Sequence, residues 1–99
     1  MKNLVWYLLV GTRGGETRAK ILLAINKRPM NANQLAAYLK LDYKTIQHHL
    51  RILTDNNMLS TINKGRYGAA YFISEDMKAL WNEFKDIWKQ FGNKLGKSK

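Results

Sequence analysis

Apolar residues recur every three to four positions through the first half of the chain, then every second position, then every three to four again. In ETRAKILLAINKR, Ile21, Leu22 and Ile25 stand at helical spacing and the run stops before Pro29, which predicts a first core helix. MNANQLAAYLK follows with Asn31 as an N-cap and Gln34 three residues on, the pattern of a capping box, while Met30 and Leu35 occupy staple positions. A second helix is expected over about Ala32 to Lys40. LDYKTIQHHLRIL opens the same way, with Asp42 as cap and Leu41 and Ile46 as staple, and predicts a third helix to about Asn56. Only Leu41 and Asp42 separate these two helices, so they must cross steeply, as in a helix-turn-helix. MLSTIN and AAYFIS then read as strands around the glycine-bounded turn KGRYG. Ser74 caps a last helix, with Glu75 and Asp76 where the helix dipole favours acids and Gly92 near the end.

The order is helix, helix, helix, hairpin, helix. The fold class this implies is mainly α with a β-hairpin wing: a winged helix-turn-helix with extra N- and C-terminal helices. Its 99 residues, 45% hydrophobic, suffice for one core and not two. One domain is expected over residues 1–93, with residues 3–10 and 75–91 in dimerisation and 94–99 a flexible basic tail.

Charge narrows the partners. Seventeen Lys and Arg against seven Asp and Glu give +10, which favours polyanions, with nucleic acid ahead of an anionic membrane surface. The absence of cysteine excludes disulfides, thiolate metal sites and thiol redox sensing, and fits a cytoplasmic protein. LVWYLLV is too short for the roughly 20 residues of a membrane span, and the charged, glycine-rich GTRGGETR after it does not resemble a signal-peptide cleavage site.

TRAKILLAI, NANQLAAYLKLDYKTIQHHLRIL and NKGRYGAAYFIS together resemble the winged helix-turn-helix of arsenic-repressor-like (ArsR-like) transcription regulators, especially small archaeal ones. The resemblance covers about Thr12 to Ser74. It implies a dimeric DNA-binding protein; the cysteine pairs by which some members sense metals are missing here, so that property does not carry over.

The third helix is the candidate reading element. At about 100° per residue, Ile46, Leu50 and Leu53 share one face with His49 at its edge. Lys44, His48 and Arg51 point the other way, with Gln47 beside them and Tyr43 and Thr45 at the N-terminal flank. The adjacent His48 and His49 diverge too far to bind one ion as a pair at i and i+4 would. With no acid nearer than Asp42 and Asp55, general acid–base work lacks material. His49 is expected at the core edge. Tyr43, Lys44, Thr45, Gln47, His48 and Arg51 are the expected DNA contacts: Gln47 can bridge an adenine edge, and the others can reach guanine, phosphate or a thymine methyl.

In the wing, Lys64, Arg66 and Tyr67 are candidate contacts, Arg66 for the minor groove and Lys64 for phosphate. At the ends, Met77, Trp81, Phe84, Trp88, Phe91 and Leu95 form a heptad seam widened by Leu80 and Ile87. The expected dimer interface is therefore Leu4, Trp6, Leu8, Met77, Leu80, Trp81, Phe84, Ile87, Trp88 and Phe91. Two other uses remain open: an intramolecular sandwich of the two ends, or adsorption to a membrane surface through Lys78, Lys85 and Lys89, which Glu83 and Asp86 oppose.

The function expected is sequence-specific binding of double-stranded DNA by a homodimer on a pseudo-palindromic site, regulating transcription. The alternative is a winged-helix module for non-specific DNA or RNA binding, or for protein interaction. No enzyme, cofactor, metal or membrane partner is expected, and any small-molecule effector stays open.

Overall fold

Three helices begin where a short polar side chain, Asn31, Asp42 or Ser74, takes up a free backbone N–H group. In the computed structural model, which describes residues 8–9, 12–62 and 69–97 and side chains as far as Gln90, helix α1 spans Gly15–Lys27. Strand β1 is Met30–Asn31, and helix α2, Ala32–Leu39, follows directly. The Asn31 side chain accepts from the Gln34 N–H at 2.8 Å while the Gln34 side chain accepts from the Asn31 N–H at 2.9 Å, completing the capping box. Lys40 ends α2 in the left-handed region at φ 58°, and the Leu41 N–H returns to the Ala36 carbonyl at 3.0 Å. That reversal lets helix α3, Tyr43–Asp55, start after only two residues, capped by Asp42.

Strands β2 (Leu59–Ile62) and β3 (Ala70–Ile73) pair antiparallel, with Leu59 opposite Ile73 and Ile62 opposite Ala70. β1 pairs with the other edge of β3, Met30 opposite Tyr71, making a three-stranded sheet of order β1-β3-β2. Periodicity does not reveal β1, because two residues are too few to carry a period. Its pairing fixes where α2 begins relative to the hairpin.

The helix expected from residue 75 is two. Helix α4, Glu75–Ala79, starts at Ser74, whose hydroxyl accepts from the Met77 N–H at 3.0 Å and donates to the Asn57 carbonyl at 2.7 Å. Leu80 interrupts it at φ −104°, and helix α5, Trp81–Lys97, continues through Gly92 to Lys97, past the boundary expected after residue 93.

The core joins all the helices. Ile21 and Leu22 of α1, Leu35 of α2, Ile46, Leu50 and Leu53 of α3, Met58 and Leu59 entering the hairpin, and Met77 and Phe84 at the end are each fully or almost fully buried. Met30 and Leu35, predicted as a staple, both belong to this cluster. With burial of a Leu, Ile or Phe side chain contributing about 1.5–3 kcal/mol, this cluster anchors α3 by one face and leaves the other outside.

Candidate nucleic-acid interface

Asp42 sets where the exposed face of α3 begins. Its carboxylate accepts from the Thr45 N–H at 3.0 Å and from the Thr45 hydroxyl at 2.6 Å. The Thr45 hydroxyl bond and then its backbone bond hold the Asp42 carboxyl below its usual range. Thr45 is therefore committed in part to the cap: its hydroxyl proton is taken, and its side chain is half-buried.

Tyr43, Lys44, Gln47, His48 and Arg51 are all exposed, and the five lie within nine residues of one helix. The Gln47 amide donates to the Tyr43 hydroxyl at 3.0 Å across one helical turn. This bond restricts the rotamers of both side chains and leaves the Gln47 carbonyl and the Tyr43 O–H to an outside partner. Such an array offers donors, acceptors and cations together, which is what base edges and phosphates demand.

The two histidines part company as the helical spacing predicted. His48 is exposed; His49 is buried, 7% exposed. Their rings meet edge-on at 5.1 Å between centroids. Nδ1 of His49 lies 3.2 Å from Arg18 Nη1, so it accepts and the imidazole proton sits on Nε2. Burial, then the Arg18 charge, then His48 push the His49 pKa down. Arg18 itself, 3% exposed, donates to the Leu8 carbonyl at 2.9 Å, to the Arg13 carbonyl at 3.2 Å and to the Thr12 hydroxyl. The pair thus ties the segment before α1 to the inner face of α3. Gly14 makes room for it: its φ is +89°, and a Cβ there would stand 2.7 Å from His49 Cε1. Sequence reasoning placed His49 at the core edge but missed Arg18, because a single arginine in a helix reads as surface.

Lys64, Arg66 and Tyr67 of the wing, and Leu4 and Trp6 near the start, lie outside the described residues, as does the side chain of Phe91. The remaining dimer-interface candidates divide. Met77 and Phe84 are 0% exposed, and Leu8 and Ile87 are 6% exposed, within the single chain. These four are spent on its own core and, within the single chain, leave almost no exposed surface. Leu80, Trp81 and Trp88 pack on the core from outside and stay partly exposed, with Trp81 and Phe84 rings 4.8 Å apart. The stripe is wide enough to do both because it carries adjacent apolar positions: the inner ones close the core and the outer ones flank it.

Among the described residues no group of three or more His, Cys, Asp or Glu could hold a metal ion, and no helix is long and apolar enough to cross a membrane.

Residues 15–61 match the family described as bacterial regulatory protein, arsR family. The fold is similar to that of a MarR transcriptional regulator from Methanosarcina mazei Go1, at TM-score 0.72 and 22% identity over 99% of this chain and 73% of that one. It is similar also to an ArsR-like transcriptional regulator from Rhodococcus sp. RHA1, at TM-score 0.62 and 20% identity over 98% and 85% of the two chains. Streptococcus pneumoniae FabT, solved in complex with DNA, gives TM-score 0.62 at 14% identity over 98% and 72%. No curated protein matches the chain. The family and the first two of these structures are named as regulators, not enzymes. The chain is thus a winged helix-turn-helix protein whose helix-turn-helix, residues 15–61, matches the arsR family of regulatory proteins.

Proposed function

We propose that this protein is a sequence-specific double-stranded-DNA-binding transcription regulator of the cytoplasm, acting as a homodimer on a pseudo-palindromic site. The observation that carries the reading is the two-faced α3. Ile46, Leu50 and Leu53 anchor one side at 0–1% exposure, and Tyr43, Lys44, Gln47, His48 and Arg51 stand exposed along the helix within a segment of arsR-family sequence. A helix held so firmly by one face can enter a major groove without losing its shape, and a mixed polar and cationic face discriminates bases where cations alone would only coat phosphate. Lys64, Arg66 and Tyr67 of the wing would reach the flanking minor groove and backbone.

Dimerisation would use the outer half of the terminal stripe, Leu80, Trp81 and Trp88, extended by Leu4, Trp6 and Phe91. Two copies related by a two-fold axis would present their third helices to half-sites about one turn of DNA apart. The experiment is selection of fragmented genomic duplex DNA on the purified protein at about 150 mM salt, which suppresses phosphate-only binding. An enriched inverted repeat is expected. Retention without a shared motif would replace the reading with non-specific coating, and an enriched single half-site would remove the dimer.

A further inference from the structure

Gln47 and Arg51 have a second neighbourhood. Both border a cleft of about 230 Å³ between α3 and the hairpin, floored by Leu50 and closed by Asp55, Thr61 and Tyr71. Arg51 and Asp55 stand four residues apart on the same helix, yet neither side chain joins an ion pair or a hydrogen bond among the described residues. A basic residue preceding an acid is the weaker order for an i, i+4 pair, which fits their staying apart. The cleft thus displays one uncompensated cation and one uncompensated anion. The Tyr71 phenol adds a neutral hydroxyl whose partial burial favours the protonated form, and the Thr54 hydroxyl in the same wall is buried without a hydrogen-bond partner among the described residues.

The chemistry of the occupant follows from this set. A phosphate or a plain carboxylate would gain Arg51 but meet repulsion from Asp55. A metal ion would find one carboxylate and a guanidinium. Arg51 and Asp55 are both exposed to water, and an apolar molecule would displace that water without replacing it, which is costly. Only a ligand carrying both signs answers both charges, and the volume, below the roughly 300 Å³ at which pockets for larger organic ligands begin, limits it to the size of an amino acid.

We propose that this cleft binds a small zwitterion of the α-amino-acid class, its carboxylate on Arg51 and its ammonium on Asp55, and that the ligand releases DNA. The release rests on the DNA-binding reading above, because Gln47 and Arg51 would serve both partners; the binding itself does not. Occupancy removes Arg51 from the groove-facing set and places a ligand in the angle between α3 and the wing, so ligand and DNA are antagonists, with the coupling reciprocal.

The test titrates the full, isotopically labelled chain with each of the common L-amino acids and with the corresponding deaminated carboxylic acid, following the backbone amide signals of Asp55, Thr61 and Tyr71. Saturable shifts with at least one amino acid are expected, and weaker binding of its deaminated partner. Asp55→Asn should lose about tenfold or more in affinity, the equivalent of one charge-assisted hydrogen bond. Tyr71→Phe is a second variant that keeps the fold's packing and should weaken binding in the same sense. Absence of saturable shifts with every amino acid, or equal affinity for the deaminated acid, would overturn the site. In a parallel assay on DNA enriched by the genomic selection, the amino acid should release the wild-type protein and not the Asp55→Asn variant, whose DNA binding alone should be unchanged. Ligand binding without release would overturn the antagonism, while failure of DNA binding in every condition would strike the regulator reading and leave the titration to decide the site.

Discussion

Acid should weaken this fold through His49. Its imidazole is buried, and Nδ1 accepts from Arg18 at 3.2 Å, an arrangement open only to the neutral ring. Burial first, then Arg18, then His48 hold its pKa below the ordinary 6.5. In the unfolded chain the same ring titrates near 6.5. Between the two values the unfolded state binds up to one proton more than the folded state. The stabilisation is therefore complete above about pH 6.5 and declines as the pH falls, with a limiting slope of about 1.4 kcal/mol per pH unit. Below the folded pKa the contribution stops changing. One unit of acidification at that slope would remove a sizeable part of the roughly 5–15 kcal/mol that holds a typical domain together. The assay is urea unfolding followed by tryptophan fluorescence across about pH 5 to 8, for the wild type and for His49→Gln, which keeps a polar group of similar reach but cannot titrate. His48 and the carboxylates are common to both, so the difference in slope isolates His49. Parallel profiles would refute the reasoning, and a wild type that gains stability on acidification would mean that the native site favours the imidazolium.

Three further outcomes are expected. Phe84→Ala, at a site with 0% exposure, should cost about 3–5 kcal/mol of unfolding free energy, independent of protein concentration; Trp88→Ala, partly exposed, should instead shift the proposed dimer toward monomer in analytical ultracentrifugation, and the reverse pattern would assign Phe84 to the interface. Asp42→Ala should lower the thermal midpoint, with Asp42→Asn restoring most of it because an acceptor for the Thr45 N–H returns. Since the Asp42 pKa is depressed in the folded state, its cap should hold above the ordinary carboxylate range and fail as pH drops through the folded value. Gln47→Ala should relax preference at about one base pair, at roughly 1–3 kcal/mol, and an unchanged preference in a binding-site selection would remove it from base reading.

Much of the architecture was legible because it is written locally. The Asn31–Gln34 box, the Asp42 and Ser74 caps and the period of Ile46, Leu50 and Leu53 depend on residues within a turn or two of each other, so each could be read without knowing the fold. The outward face of α3 followed from the same period. What escaped was the contact made at long range. β1 exists only because β3 offers an edge; Arg18 is buried only because the Leu8 carbonyl, Thr12 and His49 gather around it; and the cleft of Arg51 and Asp55 needs Thr61 and Tyr71 from the hairpin to become a cleft.

The sequence by itself therefore determined where helices and strands begin and end, to within a residue or two for most, and which side of α3 is apolar, since capping and periodicity are short-range physics. The division of labour within the terminal stripe was decided by tertiary structure alone. Periodicity says that Met77, Phe84, Ile87, Leu80, Trp81 and Trp88 are apolar and share a side of the helix, but not what covers them. Packing α4 and α5 onto the core buries the first three and leaves the last three at its margin, because a helix meets a convex core along a strip narrower than its own apolar face.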